Sequence, residues 1–138
     1  MLTLFSPAYA QDRSTWQVIQ EDIWNPNCVE CHVAASTFAE QSGLVLTADE
    51  AYEQLINVVP NNASASADGL VRVGTEGLPS IYSSFLWEKI NAPDQAHLFD
   101  DHPHYGTMMP LGLPVLTNGE LDFIKEWILG GAPEDGQV

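Results

Sequence analysis

The sequence predicts a small all-α domain, and three observations carry that expectation. Apolar residues recur at i, i+3, i+7 near both ends: Trp16, Ile19 and Ile23 early, Leu121, Ile124 and Ile128 late. Two Thr-x-x-Glu patterns, Thr47-Ala48-Asp49-Glu50 and Thr117-Asn118-Gly119-Glu120, read as capping boxes. No apolar/polar alternation is sustained anywhere, so a sheet is not expected. At 138 residues the chain has room for one domain with a modest core.

The first helix is expected over residues 14–24, ending at Asn25-Pro26 because the residue before a proline avoids helical angles. A second opens at the Thr47 box and runs to about Val58. Residues 60–77, rich in Asn, Ala, Ser and Gly, read as an irregular surface loop, in which Asn62-Ala63-Ser64 matches a glycosylation sequon by form alone. A third helix covers residues 80–90. A polar, His-containing segment follows from Asp94 to Gly106, and the last helix opens at the Thr117 box and stops at Gly130-Gly131 and Pro133. There are no internal repeats.

Between the first two helices lies Cys28-Val29-Glu30-Cys31-His32, and Cys28 and Cys31 are the only cysteines. Cys-x-x-Cys-His is the attachment pattern for c-type haem. Two intervening residues let both thiols reach neighbouring pyrrole rings from one turn of chain, and the adjacent imidazole then lies under the iron. Rival readings are a thioredoxin-like dithiol, half of a zinc site, or a lone disulfide. The dithiol wants a βαβ context that is missing here. The zinc site wants a second ligand pair, and no pair among His97, His102 and His104 has a finger spacing.

A haem ligated by His32 takes a second axial ligand, whose type tunes the potential. Gly106-Thr107-Met108-Met109-Pro110 offers two thioethers in a turn. Met109 is the first candidate because proline follows it and stiffens the loop; Met108 is the fallback. Methionine is commonly core filler, but this turn lies outside any helix stripe. His102, His104 and, more weakly, His97 remain alternatives that would give bis-imidazole ligation and a lower potential. With none of them bound the iron site is open. Arg72, one of two basic residues between the motif and the last helix, is a candidate for a haem propionate, weighed against a solvated loop arginine. Trp87 and Trp127 have a weaker claim on a propionate than on the core. Leu44, Leu46, Leu86, Ile90, Leu111 and Leu113 are candidates to line the pocket. Asp100-Asp101 reads as a solvated pair rather than a calcium site.

Nineteen acidic residues against four basic ones give a net charge of −15, which argues against nucleic acid and anionic membranes as partners. It suits steering toward a basic patch on a redox protein, and equally suits plain solubility in a saline habitat. No run of 18 apolar residues occurs, so no membrane span is expected. Residues 1–10 look like the tail of an export signal: Ala8-Tyr9-Ala10 has the small-x-small form and would leave Gln11 as the mature start, although no basic residue precedes Arg13. The single domain is then residues 11–138, in a periplasmic or otherwise extracytoplasmic setting.

An early helix leading into the haem motif, a late Met-Pro and a C-terminal amphipathic helix together resemble a class I c-type cytochrome. Within that class the chain is similar to the planctomycete-type cytochrome c domain. The matching pieces are Gly43-Leu44-Val45-Leu46, then Ser84 to Ile90, then Met109-Pro110, Leu116-Thr117 with Glu120, and Trp127-Ile128 with Gly131-Ala132. The haem motif is highly specific; the rest persuades by its order. The resemblance implies a fold in which the first and last helices cross around one covalent haem. It implies thioethers at Cys28 and Cys31, His32 as proximal ligand and Met109 as distal ligand. Two departures are Leu111, where the family often has a second proline, and Asp94–Tyr105, an apparent insertion carrying three histidines. The expected function is single-electron transfer between redox proteins, not enzymatic catalysis. The alternatives are a haem subunit docked in a larger redox complex, and a haem peroxidase or gas-binding protein with an open iron.

Overall fold

The computed structural model describes residues 12–91, 93, 98 and 100–138. The signal at residues 1–10 and the candidate His97 lie outside the described residues. Among those described, the structure is helical, without strands; two isolated parallel bridges, Ile56 with Val73 and Val71 with Ser84, stand in for a sheet.

The first helix opens on a capping box that the sequence carries as Ser14-x-x-Gln17. Gln17 N–H donates to the Ser14 hydroxyl at 3.0 Å, and Ser14 N–H donates to the Gln17 side chain at 2.8 Å. A short α-turn, α1 (Thr15–Val18), runs without a break into a π-helical segment, π1 (Ile19–Trp24), and then α2 (Asn25–Asn27). The helix therefore passes through Pro26 instead of ending before it. The reason is local. A proline ring inside a helix collides with the carbonyl four residues back, and the wider π turn, with Asn25 N–H reaching Gln20 O, relieves that crowding. The helix thereby delivers Cys28 directly from its last turn, with Cys28 N–H on Trp24 O at 2.8 Å.

Three middle elements also differ from expectation. Thr47 caps nothing, because its hydroxyl donates to Asp49 at 2.7 Å, and the helix after it begins only at Ala51. α3 (Thr37–Ser42) is capped by Ser36 and closes on Gly43 at φ +69°. α4 (Ala51–Leu55) stops because Asn57 adopts φ +56° and donates its N–H to Val73 O. The region 60–77 holds a helix of its own, α5 (Ala63–Ala67), with Asn62 as N-cap rather than as an exposed acceptor for sugar. The third predicted helix is two: α6 (Leu78–Ser83) and α7 (Phe85–Ile90), separated by Ser84 at φ −94°, ψ 113°. Ser84 is bridged to Val71, and its hydroxyl accepts from Gly74 N–H at 2.8 Å, so the break is held by two long-range bonds that no local pattern announces.

The last helix, α8 (Asn118–Leu129), follows its sequence closely, with both halves of the Thr117/Glu120 capping box formed and Leu121, Ile124, Trp127 and Ile128 buried. Its apolar face meets that of the first helix. Trp16 and Trp127 stack at 5.2 Å between centroids, with Trp24 and Tyr52 edge-on to Trp16. Ile19, Ile23, Leu55, Val73 and Ile124 fill the space around them. The C-terminal residues lie back on α1, where Thr15 N–H donates to Gly136 O at 2.9 Å and Val138 N–H to the Thr15 hydroxyl at 2.8 Å. First and last helices are thus packed together.

Candidate functional site

Residues 28–32 coil in one tight turn: Cys31 N–H and His32 N–H both donate to Cys28 O, at 3.2 and 3.0 Å. The coil sets Cys28, Cys31 and His32 side by side on the wall of one cavity of about 490 Å³, within the size range of small-molecule and cofactor sites. The two thiols are free, not joined to each other. Burial, then the charge of Glu120 and the neighbouring Cys31, pushes the Cys28 thiol up to about 12. His32 Nδ1 lies 3.0 Å from Leu44 O. A carbonyl only accepts, so in the neutral ring Nδ1 is the N–H that donates to it and Nε2 is the nitrogen left to coordinate. Leu46 N–H donates to His32 O at 2.8 Å, so the 44–46 segment fixes both the backbone and the ring of His32.

Met109 also lines the cavity. Its N–H donates to Lys89 O at 2.7 Å, which ties it to the end of α7; the Met109–Pro110 peptide is cis. The segment leading to it is held at three further points. Asn62 donates to His104 O at 3.0 Å, Lys89 Nζ to Tyr105 O at 2.9 Å, and the Tyr105 hydroxyl to the Asp68 carboxylate. All six predicted lining residues, Leu44, Leu46, Leu86, Ile90, Leu111 and Leu113, face the cavity. Leu111 and Leu113, with Phe38, remain 41–46% exposed and form an apolar rim at its mouth.

The other candidates separate cleanly. Met108 points into a second cluster with Ala65, Leu98 and Tyr105 and does not line the cavity; it is the core filler. His102 stacks flat on Tyr105 at 4.2 Å, and neither it nor the exposed His104 lines the cavity. Arg72 is no solvated loop residue: it is 7% exposed and lines the cavity. Its guanidinium donates to the carbonyls of Gln54, Ser42 and Gly43 at 3.0–3.2 Å, and burial lowers its pKa. Trp127 donates its indole N–H to Pro133 O at 2.9 Å and belongs to the core, against which the partly buried Trp87 packs. Asp100 and Asp101 are exposed.

Sequence reasoning missed Lys89, Tyr105 and Phe38, all on the cavity wall. Lys89 carried a signal: with Arg72 it is one of two basic residues between the motif and the last helix. Among the described residues, no three His, Cys, Asp or Glu side chains gather at metal-binding distance, so the four-ligand zinc reading finds no support. What the wall offers instead is two thiols, one oriented imidazole, one thioether and two cations around an apolar volume. Comparison of the chain with known protein families, curated proteins and solved structures finds no match.

Proposed function

We propose that this chain is an exported monohaem c-type cytochrome of the class I kind, carrying single electrons between redox partners through one haem ligated by His32 and Met109. The observation that carries the reading is the convergence of Cys28, Cys31, His32 and Met109, separated by up to 81 positions in the sequence, on one apolar cavity. The packing of the first helix on the last, through the Trp16–Trp127 stack, supports the same fold.

When bound, the haem supplies an iron that alternates between ferric and ferrous states. The chain's own part is to hold and shield it. Cys28 and Cys31 would fasten one edge through thioethers. His32 presents Nε2, with its ring angle set by Leu44 O. Met109 presents its sulfur from a backbone pinned to α7, so the far ligand is held in place rather than recruited. Leu44, Leu46, Leu86 and Ile90 exclude water. Arg72 keeps two of its five N–H groups free of the three carbonyls and would receive a propionate. His32 and Met109, both held by backbone or carbonyl contacts, would hold the group from the protein's side without needing to move. A pre-held ligand pair supports the carrier reading; among the described residues, His102 and His104 do not line the cavity. The apolar rim of Phe38, Leu111 and Leu113 would meet the redox partner, with a surrounding charge of −15 favouring a basic docking patch. No helix among the described residues is long and apolar enough to cross a membrane.

The test is the absorption spectrum of the oxidised holoprotein beside Met109→Ala and Met108→Ala. The wild type and Met108→Ala show the weak long-wavelength band of a methionine sulfur on ferric haem, and Met109→Ala lacks it. A preparation without covalently held haem, or a high-spin wild-type spectrum, overturns the reading.

A further inference from the structure

The four basic residues are used unevenly. Arg13 pairs with Glu21 and Asp22 at 3.0 and 3.1 Å on the surface, and Lys125 is exposed on α8. Arg72 and Lys89 instead line the cavity. The ion pairs found among the described residues are Arg13's, although the chain holds nineteen carboxylates. Both cavity cations contact neutral groups: Arg72 three backbone carbonyls, Lys89 the Tyr105 carbonyl at 2.9 Å and the Phe85 ring at 5.5 Å. Burial takes both side chains partly out of water. A buried cation without a counter-charge destabilises the folded chain. Two cations in one cavity, Arg72 buried and Lys89 half-buried, in so acidic a protein, leave positive charge that an anion would offset.

The two cations also belong to different walls. Arg72 is bonded to Ser42 and Gly43, immediately before the Leu44 carbonyl that orients His32. Lys89 holds Tyr105 through its ammonium and Met109 through its own carbonyl. An ammonium has three N–H donors, and Tyr105 takes one. We propose that Lys89 is a second anion-binding residue of the cavity, receiving one carboxylate of a dicarboxylic tetrapyrrole while Arg72 receives the other. The assignment rests on the haem reading above and adds the residue and the chemistry of its second acidic group.

The test is resonance Raman spectroscopy of the holoprotein, read at the propionate-bending bands, which track hydrogen bonding to each carboxylate. Lys89→Gln is expected to shift one band, Arg72→Gln the other, and Lys89→Arg to restore the first. Lys125→Gln, an equal charge change on the surface, shifts neither. The methionine–iron absorption band is recorded for every variant. Should Lys89→Gln leave both propionate bands in place, the proposal falls while the haem reading stands. Should Lys89→Gln abolish the methionine–iron band without moving a propionate band, Lys89 acts through the Met109 backbone alone, and the proposal falls again. Absence of covalent haem in the denatured wild type removes the haem reading itself, and is seen before any variant is compared.

Discussion

The stack of Trp16 on Trp127 joins the first helix to the last, and its strength can be worked from the structure. Trp127 is fully buried, and its indole N–H donates to Pro133 O at 2.9 Å. Truncating a buried tryptophan to alanine costs about 3–5 kcal/mol. Leucine retains part of that volume, so Trp127→Leu is expected to lose about 2–3 kcal/mol, roughly 1 kcal/mol of it from the orphaned Pro133 carbonyl. Trp16→Leu removes the partner ring at 5.2 Å and the edge contacts with Trp24 and Tyr52. Because the rings touch, the two losses overlap, and the double variant should be less destabilised than their sum by about 1 kcal/mol, the usual worth of an aromatic pair beyond its area. Against a total stability of about 5–15 kcal/mol, all three variants remain folded enough for urea titration by circular dichroism. Strict additivity, within about 0.3 kcal/mol, would refute the claim that this stack couples the two helices.

Other substitutions probe other parts of the fold. Thr117→Ala removes the hydroxyl that accepts from Glu120 N–H and should cost about 1 kcal/mol in a thermal melt. Gly43→Ala should cost about 1–2 kcal/mol, since Gly43 sits at φ +69° and a Cβ there would collide with the Asn61 side chain; adding Asn61→Ala relieves the collision but not the backbone strain, so rescue in the same melt is partial. Burial, then the bond to Asp68, raises the Tyr105 phenol above its ordinary 10.0. The folded state therefore keeps a proton that the unfolded chain releases above that value, and stability present below about pH 10 is lost as pH climbs. Urea midpoints from about pH 9 to about pH 11 should fall less steeply in Tyr105→Phe.

The sequence carried the ends of this molecule better than its middle. The α8 boundary was legible because both halves of its cap, Thr117 and Glu120, lie within one turn and meet no competitor. Thr47 carries the same spelling, yet Asp49 captured its hydroxyl. The break at Ser84 depends on Val71 and Gly74, more than nine residues away, and such contacts leave no periodic trace. Pro26 misled because the rule for proline assumes an α-turn, and the chain uses a π-turn instead. In the site, the six aliphatic lining residues were readable from hydrophobicity, and Met109 from its proline. Met108 and Met109 differ by one position and face opposite ways, which only the pinning of Met109 to Lys89 decides. Lys89 was readable only as a rarity, a cation in an acidic chain.

The burial of Cys28 bears on the order of events in making this protein. A thiol pushed up to about 12 holds almost no thiolate near neutrality, and thiolate is the form that attacks. The finished fold is therefore a poor reagent for forming its own thioether. On the haem reading, the thioether would form more readily while residues 28–32 are open to solvent, where burial does not hold the thiol protonated. The closed fold would then shield a bond made earlier, with His32 its chain neighbour and Met109 reaching the same cavity from 77 positions further along.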